Sequence, residues 1–312
     1  MSPKSKSWLR TCILVAVGLF LAFDIAVVGS PLFFRARIVA GRHRTCSISD
    51  MTWMPDRASD VRESERLVAL SRVIRTDGDL QLVETPRGAY WASKGAMQSL
   101  CFVLAELRDK PYFNGSCRVR PGDIVLDCGA NFGIFTRQAL AAGARLVVAI
   151  EPAPGSAAAL RRTFAEEVRA NRVIVCERGV WDKADFLDLA IRDDSPSGDS
   201  LVLHWFKPDR LVRVPLTTID QLTADLKLER VDFVKMDIEG AEPQALSGAR
   251  ETIRKYRPRM AISLEHRGSD VDRLPELVHG IEPALPARCG PCVWVRSPIL
   301  NRLQPQNAYF GG

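Results

Sequence analysis

The sequence predicts an α/β fold with a doubly wound, mostly parallel sheet, and three observations carry that prediction. Residues 122–152 are typical of a strand, a glycine-containing loop, a helix and a second strand. Strand-like and helix-like segments then alternate as far as Leu264, which is typical of a parallel sheet covered by helices. A chain of 312 residues, 46% of them hydrophobic, is also long enough to bury a sizeable core.

The first of these units begins with the apolar run Ile124–Leu126, which predicts a buried strand. The loop Asp127–Gly133 follows it, and residues 134–142 form a helical pattern that Gly143 ends. A second apolar run, Leu146–Ile150, predicts the next strand. Together these segments predict one βαβ unit.

The loop of this unit is suited to holding a ligand. Gly129 and Gly133 allow sharp turns and let a ligand approach the backbone, and Asn131 tolerates left-handed backbone angles. Glu151 follows the second strand, 24 positions after Asp127, where an acid commonly accepts hydrogen bonds from a ribose. The pattern D-x-G-x-N-x-G differs from the dinucleotide fingerprint and resembles the S-adenosylmethionine loop of class I methyltransferases.

A second loop at a strand end gathers three acids within residues 231–246, VDFVKMDIEGAEPQAL. The acids are Asp237, Glu239 and Glu242. Pro243 begins a helix, so the acids lie at the carboxyl end of a strand, where open parallel sheets bind ligands. Closely spaced acids repel each other and imply a proton, a cation or a positively charged partner. Lys235 and the sulfonium of the cofactor are the two candidates for that partner.

The two loops together resemble the FkbM-type family of S-adenosylmethionine-dependent methyltransferases. The resemblance rests on VLDCGANFG, the following IEP, and VDFVKMDIEGAEPQALSGA, and it covers about Pro121 to His266. It implies a class I methyltransferase, Rossmann-like fold with an antiparallel strand near the C-terminal edge of the sheet. It also implies S-adenosylmethionine as cofactor. Cys128 and the segment 193–213 depart from the family pattern, and the segment leaves the substrate open.

The resemblance assigns cofactor-binding roles by position. In that family the glycine-rich loop holds the methionine half of the cofactor, and the acid after the second strand, here Glu151, holds the ribose. The full set of expected cofactor-binding residues is Asp127, Gly129, Asn131, Gly133, Glu151, Val180, Asp182 and Asp237. Val180 and Asp182 follow the third strand, Val173–Cys176, near which the adenine lies in many methyltransferases. An ordinary turn at the strand end is the alternative for this pair.

Methyl transfer to a hydroxyl group needs a base, and three residues are candidates. His266 follows the strand Arg259–Leu264 and has an ordinary pKa near neutrality. Asp237 and Glu239 are the other two, and the sequence does not rank them. A surface histidine at a strand end is the alternative for His266. We expect no metal, and the alternative is a divalent cation held by Asp237, Glu239 or Glu242.

Residues 1–35 predict a signal anchor, a single transmembrane helix. The apolar run Cys12–Val28 is broken only by Asp24 and can extend to Phe34. Four arginines follow within residues 35–44 against three basic side chains before the run, which favours a cytoplasmic catalytic domain. S-adenosylmethionine is made in the cytosol, which also favours a cytoplasmic catalytic domain. A cleaved signal peptide and a buried soluble helix are the alternatives.

The rest of the chain divides into a linker at 36–58, an α/β cap at 59–120 and the methyltransferase domain at 121–312. The residue pattern of the cap predicts a helix over Ser59–Arg75 and a hairpin before residue 92. In the domain we expect a helix over Ser156–Ala170 and strands at 186–191 and 201–206 around the polar loop 193–199, which is suited to a flap. Cys289-Gly290-Pro291-Cys292 matches a redox tetrapeptide, but the strand-like residues after it favour a structural turn.

The sequence therefore predicts an S-adenosylmethionine-dependent methyltransferase that acts on a hydroxyl of a sugar, glycan or secondary metabolite. The alternative is a membrane-tethered, non-catalytic binding protein with a relict cofactor site. A nicotinamide-dependent oxidoreductase is excluded by the missing dinucleotide loop. The net charge of +6 is spread along the chain, so we expect a small-molecule or glycan acceptor and no nucleic acid.

Overall fold

The computed structural model describes residues 57–109, 111–193, 195–202, 207–290, 292–296 and 301–311. The predicted membrane anchor, residues 1–35, and all but the last two residues of the predicted linker lie outside these ranges. In the described part of the chain, no helix is both long enough and apolar enough to cross a bilayer.

Nine helices and fifteen strands are assigned within the described ranges. The helices are α1 (Arg57–Leu70), α2 (Met97–Glu106), α3 (Ile134–Ala141), α4 (Pro154–Thr163), α5 (Ala165–Arg169), α6 (Ile219–Asp225), α7 (Glu242–Ser247), α8 (Arg250–Tyr256) and α9 (Asp270–Ile281). The strands are β1 (Arg72–Asp77), β2 (Leu80–Thr85), β3 (Gly88–Ser93), β4 (Ile124–Cys128), β5 (Leu146–Ile150), β6 (Val173–Cys176), β7 (Gly179–Val180), β8 (Phe186–Ile191), β9 (Arg210–Thr217), β10 (Phe233–Met236), β11 (Arg259–Ser263), β12 (Ala287–Cys289), β13 (Cys292–Arg296), β14 (Asn301–Pro305) and β15 (Asn307–Phe310).

Seven strands form the central sheet, in the order β6-β5-β4-β10-β11-β15-β12. The pairs from β6 to β11 are parallel, and β15 runs antiparallel to both of its neighbours. All five residues of β4 are buried, as expected for a central strand with both faces covered. The predicted class I methyltransferase-like architecture is confirmed, including the antiparallel strand near the C-terminal edge.

The cap ahead of this sheet contains α1, α2 and the antiparallel sheet β1-β2-β3. The predicted hairpin is confirmed, but the helix predicted over Ser59–Arg75 ends at Leu70. Ser71 donates its hydroxyl hydrogen to the Leu67 carbonyl, and β1 follows, pairing with β2. β1 contains Val73 and Ile74, whose branched Cβ atoms favour a strand over a helix.

Other local predictions differ from the structure in detail. The helix predicted over Ser156–Ala170 is two helices, α4 and α5, which meet at the buried Phe164. The strand predicted over 201–206 is absent at Leu201 and Val202, and its other residues lie outside the described ranges. Cys289 ends β12 and Cys292 begins β13, and Cys289 is disulfide-bonded. Pro291 lies outside the described residues, so the structural turn expected for the cysteine tetrapeptide stays a prediction.

Candidate active site

The sheet order reverses between β4 and β10, and this switch point is where doubly wound sheets bind ligands. The carboxyl ends of β4, β5, β10 and β11 share one edge because these strands are parallel. A cavity of about 560 Å³ opens there, within the range of small-molecule sites. The loops that follow these four strands line it.

The loop after β4 is held in a conformation that glycine and asparagine adopt readily. Gly129, Asn131 and Gly133 have φ angles of 78°, 47° and 80°. A Cβ atom on Gly129 would lie 1.9 Å from the Asp237 carbonyl oxygen, and one on Gly133 would lie 2.3 Å from Cε2 of Phe164. Both glycines are therefore required by close packing as well as by their backbone angles.

Asp127 and Lys235 connect the two loops beneath the cavity. The Lys235 Nζ lies 3.3 Å from the Asp127 Oδ1, and both side chains are buried. Lys235 also donates a 2.6 Å hydrogen bond to the Gly129 carbonyl, and Thr136 donates one of 2.6 Å to the Asp127 Oδ2. Lys235 is thus paired with Asp127 of the first loop. Asp127 contributes to the geometry of that loop and does not itself line the cavity.

Glu151 is buried at the end of β5 with its carboxylate fixed by the backbone. Its Oε2 accepts a hydrogen bond from the Asn131 N–H and its Oε1 one from the Ala153 N–H, both at 2.9 Å. Burial raises the pKa of Glu151 even though these bonds oppose the shift. Asn131 lines the same cavity, and its Oδ1 is a buried acceptor without a hydrogen-bond partner among the described residues.

His266 lies among the three acids of the second loop. Its Nδ1 is 3.1 Å from Oε1 of Glu242, and its Nε2 is 3.4 Å from Oδ1 of Asp237 and 3.5 Å from Oε2 of Glu239. Both ring nitrogens therefore face carboxylate oxygens, and only an imidazolium carries a hydrogen on each. Burial opposes this charge, but Glu242 and Glu239 raise the pKa of His266 well above its ordinary value.

The same group of side chains has the donor set of a possible cation site. Asp237, Glu242 and His266 each offer one ligand atom, and these atoms lie within 4.8 Å of one another. Carboxylate and imidazole groups are common ligands of divalent metals. The sequence expectation of a metal-free reaction therefore stays a prediction.

Tyr112 fixes the carboxylate of Asp237. Its hydroxyl donates a 2.6 Å hydrogen bond to the Asp237 Oδ2, and its ring is buried in an edge contact with Phe135. Burial works against ionisation of Asp237, but Lys235 and His266 hold its pKa below the ordinary value. Sequence reasoning missed Tyr112, because the segment before β4 has no periodic pattern that would single it out.

Glu239 has a backbone conformation that is rare for a residue with a side chain. Its φ is 54°, and Gly240 follows with a φ of 92°. The Ser200 hydroxyl donates a 2.9 Å hydrogen bond to the Glu239 carbonyl. The Glu239 side chain is about a quarter exposed, it lines the cavity, and burial raises its pKa.

The structure brings most of the predicted site residues to one cavity. The predicted residues that line it are Gly129, Asn131, Glu151, Val180, Asp237, Glu239 and His266. Asp127 and Gly133 support the first loop from behind. Asp182 is exposed and lies outside the cavity lining. The individual role of each residue stays a prediction.

Comparison with known proteins identifies the family. The model of the "Methyltransferase FkbM domain" matches residues 127–290, just over half of the chain. The 31-O-demethyl-FK506 methyltransferase FkbM of Streptomyces tacrolimicus is 31% identical over 156 residues, which are 50% of this chain and 57% of that protein. The 2-O-methyltransferase NoeI of Sinorhizobium fredii (strain NBRC 101917 / NGR234) is 26% identical over 151 residues, 44% of this chain and 62% of that protein.

The matched region thus spans a little over half the length of these two relatives. A solved structure, the methyltransferase FkbM of Methylobacillus flagellatus KT, is 21% identical, with a TM-score of 0.46, and covers 70% of this chain and 56% of that one.

The residues at the switch point fit S-adenosylmethionine. The Gly129–Gly133 loop gives a ligand access to the backbone, Glu151 presents a fixed carboxylate, and Asn131 has a buried oxygen that a ligand hydrogen could satisfy. Acidic side chains across the cavity suit a positively charged sulfonium. This chain belongs to the FkbM family of S-adenosylmethionine-dependent methyltransferases.

Proposed function

We propose that this protein transfers the methyl group of S-adenosylmethionine to a hydroxyl group of a sugar, glycan or secondary metabolite. One observation supports this most strongly: a single cavity is lined both by the cofactor loop and by the cluster of Asp237, Glu239 and His266. The names of two relatives point to O-methylation, since NoeI is a 2-O-methyltransferase and FkbM acts on 31-O-demethyl-FK506.

The bound cofactor supplies an electrophilic methyl group on a sulfonium. The loop Gly129–Gly133 and the carboxylate of Glu151 would hold and orient the cofactor, and the acidic loop would face the hydroxyl to be methylated. The acceptor hydroxyl would take up the methyl group that the cofactor supplies, and it would give its proton to a base of the acidic loop. Fixed positions for both reactants supply much of the rate enhancement in such a reaction.

Glu239 is the base that the geometry favours among the three candidates. It lines the cavity, and its raised pKa makes it a stronger base than an ordinary carboxylate. Asp237 is held at one oxygen by the Tyr112 hydroxyl, and its lowered pKa makes it a weaker base. Glu242 and Glu239 raise the pKa of His266 well above its ordinary value, which favours a role for His266 in positioning Asp237 and Glu239 over acceptance of the proton.

We propose that the transfer needs no metal ion, in line with the sequence expectation. Asp237, Glu242 and His266 are the residues that a cation would use. Activity measured before and after dialysis against a chelator tests the point. Equal rates support a metal-free reaction, and a loss that Mg²⁺ or Mn²⁺ restores would contradict it.

The proposed reaction is tested by incubating the full chain, purified in detergent, with S-adenosylmethionine and a panel of neutral glycosides and polyketides. Mass spectrometry follows the gain of one methyl group in the acceptor and the release of S-adenosylhomocysteine. Cofactor-dependent methylation of an oxygen supports the proposal. Methylation only at nitrogen or carbon, or cofactor binding with no transfer to any acceptor, would contradict it; the latter would favour the relict-site alternative.

We further propose that residues 1–35 tether the protein to a membrane with its catalytic domain in the cytoplasm. The support is the apolar run Cys12–Val28 and the arginines after it. Fractionation of cells that carry a C-terminally tagged chain tests this. We expect the tag in the membrane fraction and protected from protease added outside; a tag in the soluble fraction would contradict the anchor.

A further inference from the structure

The segment 195–202, which follows β8, connects the two loops of the cavity. The Pro196 carbonyl accepts a hydrogen bond from Nδ2 of Asn131 in the cofactor loop, at 3.4 Å. The Ser200 hydroxyl donates to the Glu239 carbonyl in the acidic loop, at 2.9 Å. The segment therefore contacts the cofactor loop at one position and the acidic loop at another, and its position relative to the cavity is set by both.

Asp199 lies between these two anchor points, and its side chain lines the cavity. Its Oδ1 accepts a hydrogen bond from the Arg192 N–H at 2.8 Å, which fixes the carboxyl group. Burial, which the nearby charge of Glu151 reinforces, raises the pKa of Asp199 to about 7 against the opposing hydrogen bond from Arg192. Two acidic residues from different parts of the chain thus line the same cavity, and they are near enough for their charges to interact.

A ligand with several hydrogen donors suits this pair of carboxyl groups. Glu151 is already oriented by the N–H groups of Asn131 and Ala153, and Asp199 by that of Arg192. Each oxygen that accepts one of these bonds retains a second lone pair for a ligand. The repulsion between the two acids falls when hydrogen donors lie between them, and a nucleoside offers such donors in its ribose hydroxyls and its exocyclic amine.

We propose that Asp199 is a second cofactor-binding carboxyl group, which with Glu151 holds the nucleoside half of S-adenosylmethionine. The inference rests on the cofactor assigned above and deepens it, because it places a residue of the segment 195–202 in direct contact with the ligand. Neither of the two loops that carry the family resemblance contains this residue, so the sequence motifs do not predict its role.

Two ligands and two variants test the proposal in the full chain, in detergent. Calorimetry measures the affinity for S-adenosylhomocysteine and for 5′-methylthioadenosine, which keeps the nucleoside and lacks the amino-acid half. Asp199→Asn retains an oxygen for the Arg192 N–H but loses the charge. Asp193→Asn is the matched control, since Asp193 is exposed, lies outside the cavity lining and pairs with Arg210. Wild-type protein that binds neither ligand would refute the cofactor assignment itself, before Asp199 is tested.

We expect Asp199→Asn to weaken both ligands by the same factor, about tenfold, and Asp193→Asn to leave both affinities unchanged. An unchanged affinity in Asp199→Asn would overturn the proposal. A loss of affinity confined to S-adenosylhomocysteine would also overturn it, because that result would place Asp199 at the amino-acid half of the cofactor. If Asp199→Asn does not fold, hydrogen exchange on the wild-type chain decides. 5′-Methylthioadenosine should slow exchange in residues 190–202, and unchanged exchange there would overturn the proposal.

Discussion

The ammonium group of Lys235 lies 3.3 Å from the Oδ1 of Asp127, and both side chains are buried beneath the cofactor loop. This pair joins the ends of the adjacent strands β4 and β10, where the sheet order reverses. Lys235 also donates to the carbonyl groups of Cys128 and Gly129. The first loop therefore takes its shape partly from a side chain of the second.

Lys235→Met should destabilise the fold, because it leaves the buried Asp127 carboxylate without its ion-pair partner. We expect the free energy of unfolding in urea to fall by about 3–5 kcal/mol. Arg161→Met is the control, since Arg161 and its partner Glu177 are both exposed, and we expect a loss below about 1 kcal/mol. Equal decreases in the free energy of unfolding of the two variants would show that the buried ion pair stabilises the fold no more than the exposed one.

Gly133→Ala should also reduce stability, for a steric reason. The added Cβ would lie 2.3 Å from Phe164 and the backbone has a positive φ, so we expect a loss of about 2–5 kcal/mol. Gly78→Ala separates the two effects, because Gly78 has a φ of 59° with no atom within 4 Å of an added Cβ. We expect Gly78→Ala to lower the free energy of unfolding by about 1 kcal/mol. Urea unfolding measures the stability of both variants. A similar decrease in Gly133→Ala and Gly78→Ala would show that contact with Phe164 adds nothing to the cost of the positive φ.

Glu239→Gln should abolish most of the turnover while leaving cofactor binding intact. Loss of a general base lowers kcat by about 100-fold or more, whereas the cofactor contacts at Glu151 are unchanged. Rates of methyl transfer and calorimetry with S-adenosylhomocysteine give the two readouts. Glu177→Gln, a change at an exposed acid, should alter neither. Full activity in Glu239→Gln would move the role of base to Asp237 or His266.

The pKa of Asp199 predicts a pH dependence of stability. The pKa of this carboxyl group is about 4 in the unfolded chain, and burial raises it to about 7 in the folded one. Between these values the folded chain binds more protons, so the contribution of Asp199 to stability falls as the pH rises. Urea unfolding should show the stability of the wild type, relative to Asp199→Asn, decreasing from pH 4 to pH 7 and then levelling. Parallel profiles for the two proteins would contradict this.

The sequence predicted those parts of the site that depend on short stretches of chain. Strand β4, its glycine loop and Glu151 fall within one local pattern, and the acidic loop after β10 falls within another. Contacts between distant segments escaped prediction. Asp127 meets Lys235 only because the sheet places β4 beside β10, and Tyr112, from the segment before β4, contacts Asp237 across 125 positions of sequence.

Local propensity also failed where tertiary pairing decided the structure. The apolar residues Val73 and Ile74 fitted a helical pattern, but both lie in β1, which pairs with β2 as an antiparallel strand. The opposite error occurred at Phe164, whose burial between α4 and α5 interrupts a segment that has a continuous helical composition. In both cases the partner of the segment lies outside the window from which the prediction was made.

The cofactor assignment is tested by calorimetric titration of S-adenosylmethionine into the full chain, in detergent, with Glu151→Gln measured beside it. We expect one site per chain with micromolar affinity, and clearly weaker binding in Glu151→Gln, because that change removes the fixed carboxylate at the end of β5. No binding to a wild-type chain shown to be folded would contradict the cofactor assignment and, with it, the proposed methyl transfer.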